Sequence, residues 1–397
     1  MTSVSRVDQV PAEESGWGAV YALSATVIGL VSSEYLPISL LTPIAADLDI
    51  SEGVAGRAVA FAAAAAVLSS LFTAAVTQRL DRRLVLRGFA ILLVVSSALA
   101  AFAVNYPMLL AGRVLLGIAV GGFWSMAAAV TMRLVPPEDV PRAFATVYAG
   151  VAIAVVAAGP VASYVASFVG WRGVFMGSLI WGVFVFALQM RTVPALPPRS
   201  AFRLAAHFGL IKRREVRYGL IAVLMVYVGH FSFFTYSRPF LETIAGFDVS
   251  GVSWALLGYS LFNIIGVQSS RILIGRSLYM TLGLIPLLMA CFALVLILSG
   301  QDATVAVVLL ACWGAAFGAM QVAFTTRLTR VVPDAIESAG GLHFASVELA
   351  VGAGAWIGGI LFDLTGAKGA FSGSGILLLL AAGFILAKLR RAAVSTA

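Results

Sequence analysis

Apolar residues run in twelve long stretches, near positions 17–46, 54–77, 84–104, 107–131, 143–168, 173–190, 218–244, 252–274, 277–299, 303–326, 339–362 and 371–388. Most are close to the roughly 20 residues that an α-helix needs to cross a hydrocarbon core. Turn-forming or charged segments interrupt them at Asp49–Glu52, Arg79–Arg83, Asn105–Pro107, Pro136–Pro141, Gly170–Arg172, Gln301–Asp302, Pro333–Glu337 and Gly366–Gly369. The pattern predicts an all-α membrane protein with twelve transmembrane helices. The longest polar segment divides these spans six and six. The expected organisation is a tail at 1–16, a six-helix bundle at 17–190, a basic linker at 191–217, a second six-helix bundle at 218–390 and a tail at 391–397.

The two halves repeat. Leu109-Leu110-Ala111-Gly112-Arg113 returns as Leu309-Leu310-Ala311-Cys312-Trp313, and Val135-Pro136 returns as Val332-Pro333. Gly170-Trp171-Arg172-Gly173-Val174-Phe175 matches Gly366-Ala367-Lys368-Gly369-Ala370-Phe371. A duplicated six-span unit is the mark of a transporter whose two bundles rock about a central site.

Composition agrees, with 61% hydrophobic residues and 11% charged in 397. An ordinary soluble chain carries roughly 25% charged residues, so soluble enzymes, disordered proteins and disulfide scaffolds are excluded. The two cysteines, Cys291 and Cys312, lie inside apolar runs. The formal charge of +8 raises the question of nucleic acid, and the placement of the charges answers it. With both termini in the cytoplasm, 21 of the 26 Lys and Arg fall on the cytoplasmic side. The other side keeps Arg57, Arg172 and Lys368, while Arg113 and Arg238 lie within spans. That asymmetry is the positive-inside rule, and no nucleic-acid partner is needed. The polar start, with Asp8, Glu13 and Glu14 beside Arg6, is the wrong pattern for a cleaved signal peptide, so the first span is expected to be retained.

Ionisable groups inside spans are functional candidates because hydrocarbon penalises them. Glu34 lies about 22 Å along the first span from the inner face, and Arg113 about 10 Å below the outer face on the fourth. In a core about 30 Å thick these depths nearly coincide, so the two are expected to approach each other. Burial favours a protonated carboxyl and a guanidinium favours its anion, which together suit proton coupling; a static ion pair is the plainer alternative. Glu348, in the eleventh span, is a second proton site or a hydrogen-bond acceptor. His230 is a proton relay, a ligand contact or a packed histidine. Arg238 and Glu242, four apart across Pro239, suggest a gate or a rim ion pair. Phe123, Trp124, Phe234, Tyr236 and Trp313, with Asn263 and Gln321 as polar partners, are candidates to hold a flat, polar-edged ligand, core packing being the alternative for each ring.

Other chemistries lack their motifs. There is no G-x-x-x-x-G-K-[ST] phosphate loop, no H-E-x-x-H and no potassium-filter sequence. Nothing ties Ser374 to His343 as a hydrolase pair. The chain reads as no enzyme, with no cofactor beyond a proton gradient.

Leu109-x-x-x-Arg113-x-x-x-Gly117 resembles the fourth-span motif of the major facilitator superfamily. Gly150, followed eight residues on by Gly159-Pro160, resembles the fifth-span motif of its proton-driven antiporters. The loop motif between the second and third spans survives as Thr77-x-x-x-Asp81-Arg82-Arg83, without its leading glycine, and keeps the opposite charges of Asp81 and Arg82. Ser33-Glu34-Tyr35-Leu36-Pro37, Gly121-Gly122-Phe123-Trp124-Ser125-Met126 and Phe233-Phe234-Thr235-Tyr236-x-Arg238-Pro239 are similar to bacterial purine ribonucleoside efflux pumps. The resemblance implies a monomeric multi-pass protein of the bacterial inner membrane. It implies proton-coupled efflux of inosine-, guanosine- and adenosine-like compounds and purine analogues, with drug resistance as an associated phenotype. Glu34 and Arg113 would serve coupling. Asp81, Arg82, Gly150, Gly159, Pro160 and Arg238 would serve conformational change. Export of sugars or amphipathic drugs, or ligand sensing without transport, remain the alternatives.

Overall fold

The computed structural model describes residues 16–198, 209–332 and 336–389. The expected tails, at 1–15 and from 390 onward, lie outside the described residues, as do linker residues 199–208, with Arg199 and Arg203, and residues 333–335 of one break. The described chain is helical: α1 (Trp17–Ser39), α2 (Leu41–Asp47), α3 (Glu52–Val76), α4 (Arg82–Ala101), α5 (Tyr106–Leu134), α6 (Val140–Thr192), α7 (Arg214–Phe234), α8 (Ser237–Thr243), α9 (Val249–Ser299), α10 (Ala303–Val331) and α11 (Ile336–Phe384). Nine helices among the described residues are long and apolar enough to cross a membrane.

Helix starts are written in local chemistry. Ser51, Asp81, Asn105, Asp248 and Asp302 each accept a backbone N–H from the first turn that follows, at 2.8 to 3.2 Å. These side chains satisfy donors that a helix terminus leaves open. Three long helices are broken rods. At 1.5 Å per residue, 51 residues would reach about 76 Å, more than twice a hydrocarbon core. α6 breaks at Gly170 (φ 69°, ψ 171°), α9 at Ser277 (φ −168°, ψ 114°) and α11 at Gly366 (φ 72°, ψ −168°). The positive φ at both glycines is a conformation that a side chain would resist. Nine long helices with three breaks give twelve helical segments.

The predicted first and seventh spans are not continuous. α1 ends before Leu40 (φ −111°, ψ 14°) and α7 before Tyr236 (φ −107°, ψ 14°), each followed by a seven-residue helix. Pro43 and Pro239 lack the N–H that would close the turn onto Ser39 and Thr235. Hydropathy runs unbroken through both sites, so it misses both breaks. α2 and α8 sit at equivalent places in the duplicated halves, as do Gly170 and Gly366.

Packing follows the same duplication. α3 lies on α5, α1 on α6, and α4 on α5 and α6; in the second half α9 lies on α10, α7 on α11, and α9 on α11. The halves meet where α3 crosses α11 and α6 crosses α9, contacts that are mates under the repeat. Close crossings depend on small residues. A Cβ on Gly117 or Gly121 would strike the carbonyls of Ala62 or Ala66, and one on Gly266 that of Ala315. Large apolar side chains such as Leu68, Phe72, Trp254, Leu298 and Leu364 cover the outer surface. Cys291 is exposed, Cys312 is half-buried and both are free thiols.

Gly117→Val and Gly266→Val are each expected to cost about 1–3 kcal/mol through overpacking, read as a lowered melting temperature of the solubilised protein. Gly88→Ala, whose methyl would meet nothing within 4 Å, should leave the melting temperature unchanged or slightly raised.

Candidate functional site

The centre of the molecule is organised by a proline. Pro37 lies inside α1 and has no N–H to offer the carbonyl of Ser33, four residues earlier. Arg113 of α5 takes that carbonyl instead: Nη1 donates to Ser33 O at 2.6 Å and Nη2 to Glu34 O at 3.0 Å. Arg113 is 1% exposed and its Nε has no partner. Glu34 and Arg113 are therefore adjacent, as their depths predict, but the guanidinium grips backbone oxygens beside the acid.

The Glu34 side chain is in hydrogen-bond contact with Glu348, on the first limb of α11 in the other half. Glu348 is buried, and its Oε2 has no partner. Glu34 and Tyr35 keep part of their surface although protein surrounds them, as side chains facing an internal opening do. Tyr35 reaches across the halves to Phe231 and Phe234, with ring centroids 6.5 and 6.4 Å apart.

Behind this pair stands an aromatic stack. His230 lies 3.5 Å from the Phe317 ring with planes 8° apart, and stacks on Phe234 at 5.3 Å. Trp313 Nε1 donates to His230 Nδ1 at 3.0 Å. An indole N–H can only donate, so Nδ1 is unprotonated and the neutral ring carries its proton on Nε2. While that bond is made, a relay through His230, one of its three candidate roles, is blocked, because a relay needs both nitrogens, and the packed alternative describes the ring.

The ligand candidates divide by surface. Trp124, Phe234 and Gln321 retain part of theirs. Phe123, Tyr236 and Trp313 are fully enclosed, Trp313 lying on Phe233 at 3.8 Å. Asn263 spends its amide on Gly314 O, at 3.1 Å, where α9 crosses α10. Gly150 admits the Ser24 backbone, tying α6 to α1, whereas Gly159 faces Ser39 and Leu256 nearer the seam, one residue before the helix-interior Pro160.

Away from the linker end, the halves are tied together. Arg57 pairs with Asp363 at 2.8 Å and lies over the Trp356 ring at 5.4 Å. Tyr236 Oη donates to Ala355 O at 2.8 Å and reaches Gly53 O at 3.4 Å, in space that Gly56 and Gly359 leave open. Arg238 pairs with Glu242 at 2.8 Å, and its Nη1 donates to Ser39 O and to Ser163 Oγ. Ser39 O is the carbonyl that Pro43 leaves without a helical donor, so a second proline presents a second oxygen to a buried arginine. Toward the linker end, Trp124 meets Phe344 across the halves at 6.1 Å.

The loop at the linker end departs from its expected charge pairing. Arg82 Nη1 donates to Thr77 Oγ1 at 2.8 Å. Asp81 Oδ1 accepts Arg83 N at 2.8 Å and Leu196 N at 2.9 Å, fastening the α3–α4 loop to the segment after α6. Partial desolvation alone would raise this carboxyl. The two N–H donors and the Arg83 and Arg133 charges outweigh it and hold the group below its ordinary range.

Sequence reasoning missed Tyr35, Phe317, the Arg57–Asp363 pair and Tyr259 of α9, whose ring stacks on Phe234 at 4.7 Å. Tyr35 directly follows Glu34, and Asp363 is an acid near the Gly366 break; those were the available signals. It also missed Ser178, whose hydroxyl lies 2.5 Å from that of Ser33 and 3.1 Å from that of Ser97.

Residues 20–342 match the family model described as Major Facilitator Superfamily. The chain is 41% identical over 374 residues to the purine ribonucleoside efflux pump NepI of Salmonella enteritidis, covering 94% of each chain, and equally to that of Salmonella typhimurium. Solved structures share the fold at low identity. A D-xylose–proton symporter has a TM-score of 0.74 at 17% identity, over 93% of this chain and 96% of that one. A POT family transporter has 0.76 at 12% identity, over 94% and 96%.

Arg113→Leu leaves Ser33 O without a donor and is expected to cost about 1–3 kcal/mol. Pro37→Ala supplies that donor from the helix itself, so the double variant should recover part of the loss; a strictly additive cycle in thermal denaturation would contradict the proposed pairing. Because the Asp81 carboxyl is depressed in the folded protein, its contribution should be complete above the ordinary Asp value of about 3.9 and fade as pH falls through the lower one. In acid melts, the stability gap between wild type and Asp81→Asn should therefore close as pH is lowered.

Proposed function

The chain belongs to the major facilitator superfamily, and we propose that it exports purine ribonucleosides and related purine analogues in exchange for protons, by alternating access. It is related to efflux transporters rather than to enzymes. The observation that carries the substrate reading is the 41% identity, over 94% of both chains, to a pump named for purine ribonucleoside efflux. The coupling reading rests on Glu34, an acid half-open to the interior and held beside the Arg113 guanidinium.

In this reading the twelve segments are twelve crossings of the bacterial inner membrane. Residues 17–190 and 218–390 are the two rocking bundles, and the linker end is cytoplasmic, as the Lys and Arg asymmetry requires. The ties at Arg57–Asp363, Tyr236 and Arg238 then form the periplasmic closure, and opening toward the periplasm must break them. Protons enter from that side, load Glu34 and leave toward the cytoplasm, while the nucleoside travels outward.

Trp124 and Phe234 supply faces on which a purine can stack, and Gln321 offers an amide to its polar edge. Phe123, Tyr236 and Trp313 hold the walls in place. His230 acts as a fixed neutral group. Gly150, Gly159 and Pro160 let α6 move against α1 and α9, and Asp81 and Arg82 anchor the cytoplasmic loop. The protein needs no cofactor and works as a monomer.

Counterflow in liposomes tests the substrate. Labelled inosine should exchange against unlabelled purine ribonucleosides. Exchange of sugars or cationic dyes with none of nucleosides would replace this reading with the drug or sugar exporter, and binding without exchange would indicate a sensor. Glu34→Gln should abolish pH-gradient-driven flux while ligand binding survives; normal gradient-driven flux in that variant would remove Glu34 from the mechanism.

A further inference from the structure

We propose that Glu34 and Glu348 hold a single proton between them across the seam of the two halves, and that this shared proton latches the halves together at the centre of the molecule. The inference deepens the coupling part of the proposed function and rests on it for direction, because it makes Glu348 the second half of the proton site.

The argument starts from hydrogen-bond chemistry. A carboxylate oxygen only accepts, so two carboxyl groups in hydrogen-bond contact need a proton on one of them. The two acids come from different halves: Glu34 from α1 and Glu348 from the first limb of α11. At this depth the seam is also bridged by Tyr35 meeting the Phe231 and Phe234 rings and by the Ser260 hydroxyl, which donates to Val155 O at 3.3 Å. Among the described residues the dyad is therefore the ionisable fastening at this level, whereas the Arg57–Asp363 pair fastens the far end.

The surrounding groups define what happens when the proton leaves. Arg113 reaches in from α5, with donors committed to Ser33 O and Glu34 O, so its charge sits on the Glu34 side of the dyad. Tyr35 flanks the acid on α1, Tyr227 and His230 stand on α7, and Tyr259 stands on α9. His230 has its Nδ1 occupied by Trp313 and cannot take up the proton there. One guanidinium therefore faces two carboxyl groups. With one proton present, the set is a single ion pair plus a hydrogen bond. Without it, two anions face each other across the seam with one cation, on the Glu34 side, and like charges at a shared site repel. Glu348 is the uncompensated end of this balance, since its buried Oε2 has no partner to stabilise an anion.

The step is a simple dissociation: the O–H bond of the dyad breaks, the proton passes to water on the cytoplasmic side, and the electron pair stays on the carboxylate. The seam then loses its central fastening, which favours the swing that carries solute outward. Rebinding of a proton from the periplasm closes it again. A lone acid on α1 would move a proton but would not link its release to the second half; the dyad supplies that link.

Infrared difference spectroscopy of the reconstituted protein tests this without any nucleoside. The wild type should show a protonated-carboxyl band near neutral pH that shifts in deuterated water. Glu348→Gln should remove that band at the same pH, because the glutamine amide donates an N–H to Glu34 in place of the shared proton and Arg113 balances the remaining anion. Glu348→Asp keeps a carboxyl on a shorter arm and should keep the band at a displaced frequency. Absence of the band in the wild type would overturn the proposal. So would a band unchanged in Glu348→Gln, which places the proton on Glu34 alone. Where the glutamine variant does not fold, an undisplaced band in Glu348→Asp overturns it equally. Failure of nucleoside counterflow would remove the substrate reading and leave these outcomes untouched, so the two proposals fall separately.

Discussion

A backbone carbonyl without a donor is expensive inside an apolar bundle, and two prolines of the first membrane segment create two such carbonyls. Pro37 strands Ser33 O and Pro43 strands Ser39 O. Arg113, from the same half, satisfies the first; Arg238, from the other half, satisfies the second. Both arginines are deeply buried, and both find an oxygen that the helix cannot use. The first segment is thereby pinned to each half through its own main chain. Glu34, beside the first of these carbonyls, is held in position by the same contact.

The two grips differ in consequence. Arg113 stays within one half, so it can hold α1 in place through any rocking of the bundles. Arg238 crosses between halves, next to Tyr236 and the Arg57–Asp363 pair, so it belongs to a set of contacts that a rocking motion must break. A permanent brace and a breakable tie are thus built from one device, a proline-freed carbonyl facing a guanidinium. The duplicated fold places the second proline break, at Pro239, at the equivalent position of the other half, where it ends α7 and releases α8 toward the seam.

The aromatic residues show how burial separates structure from function. Trp313 bonds His230 and lies on Phe233, and Tyr236 fills space left by glycines on α3 and α11. These rings set distances between helices. Phe234, Tyr35 and Trp124 border the interior with part of their surface free, and there a planar solute has something to meet. The family relationship identifies a transporter; the division between enclosed and open rings narrows which side chains a solute can touch.

Much of this was legible along the chain, and the reason is that the determinants are local. Twenty-residue apolar runs, capping residues such as Asp81, Asn105 and Asp302, and the glycines at 170 and 366 act within a few residues of themselves, so span positions, the breaks in α6 and α11, and the six-and-six repeat follow from sequence. Glu34 and Arg113 were found because charge in hydrocarbon is rare, and their meeting followed from depth alone. Depth says nothing about direction around a helix or about the other half. Only the folded chain decided that Arg113 grips carbonyls, that Glu34 faces Glu348, that His230 is tied off by Trp313 and that Arg57 meets Asp363. These pairings depend on helix rotation and on the crossing of α1, α3 and α11, which packing among small residues sets over hundreds of positions of chain.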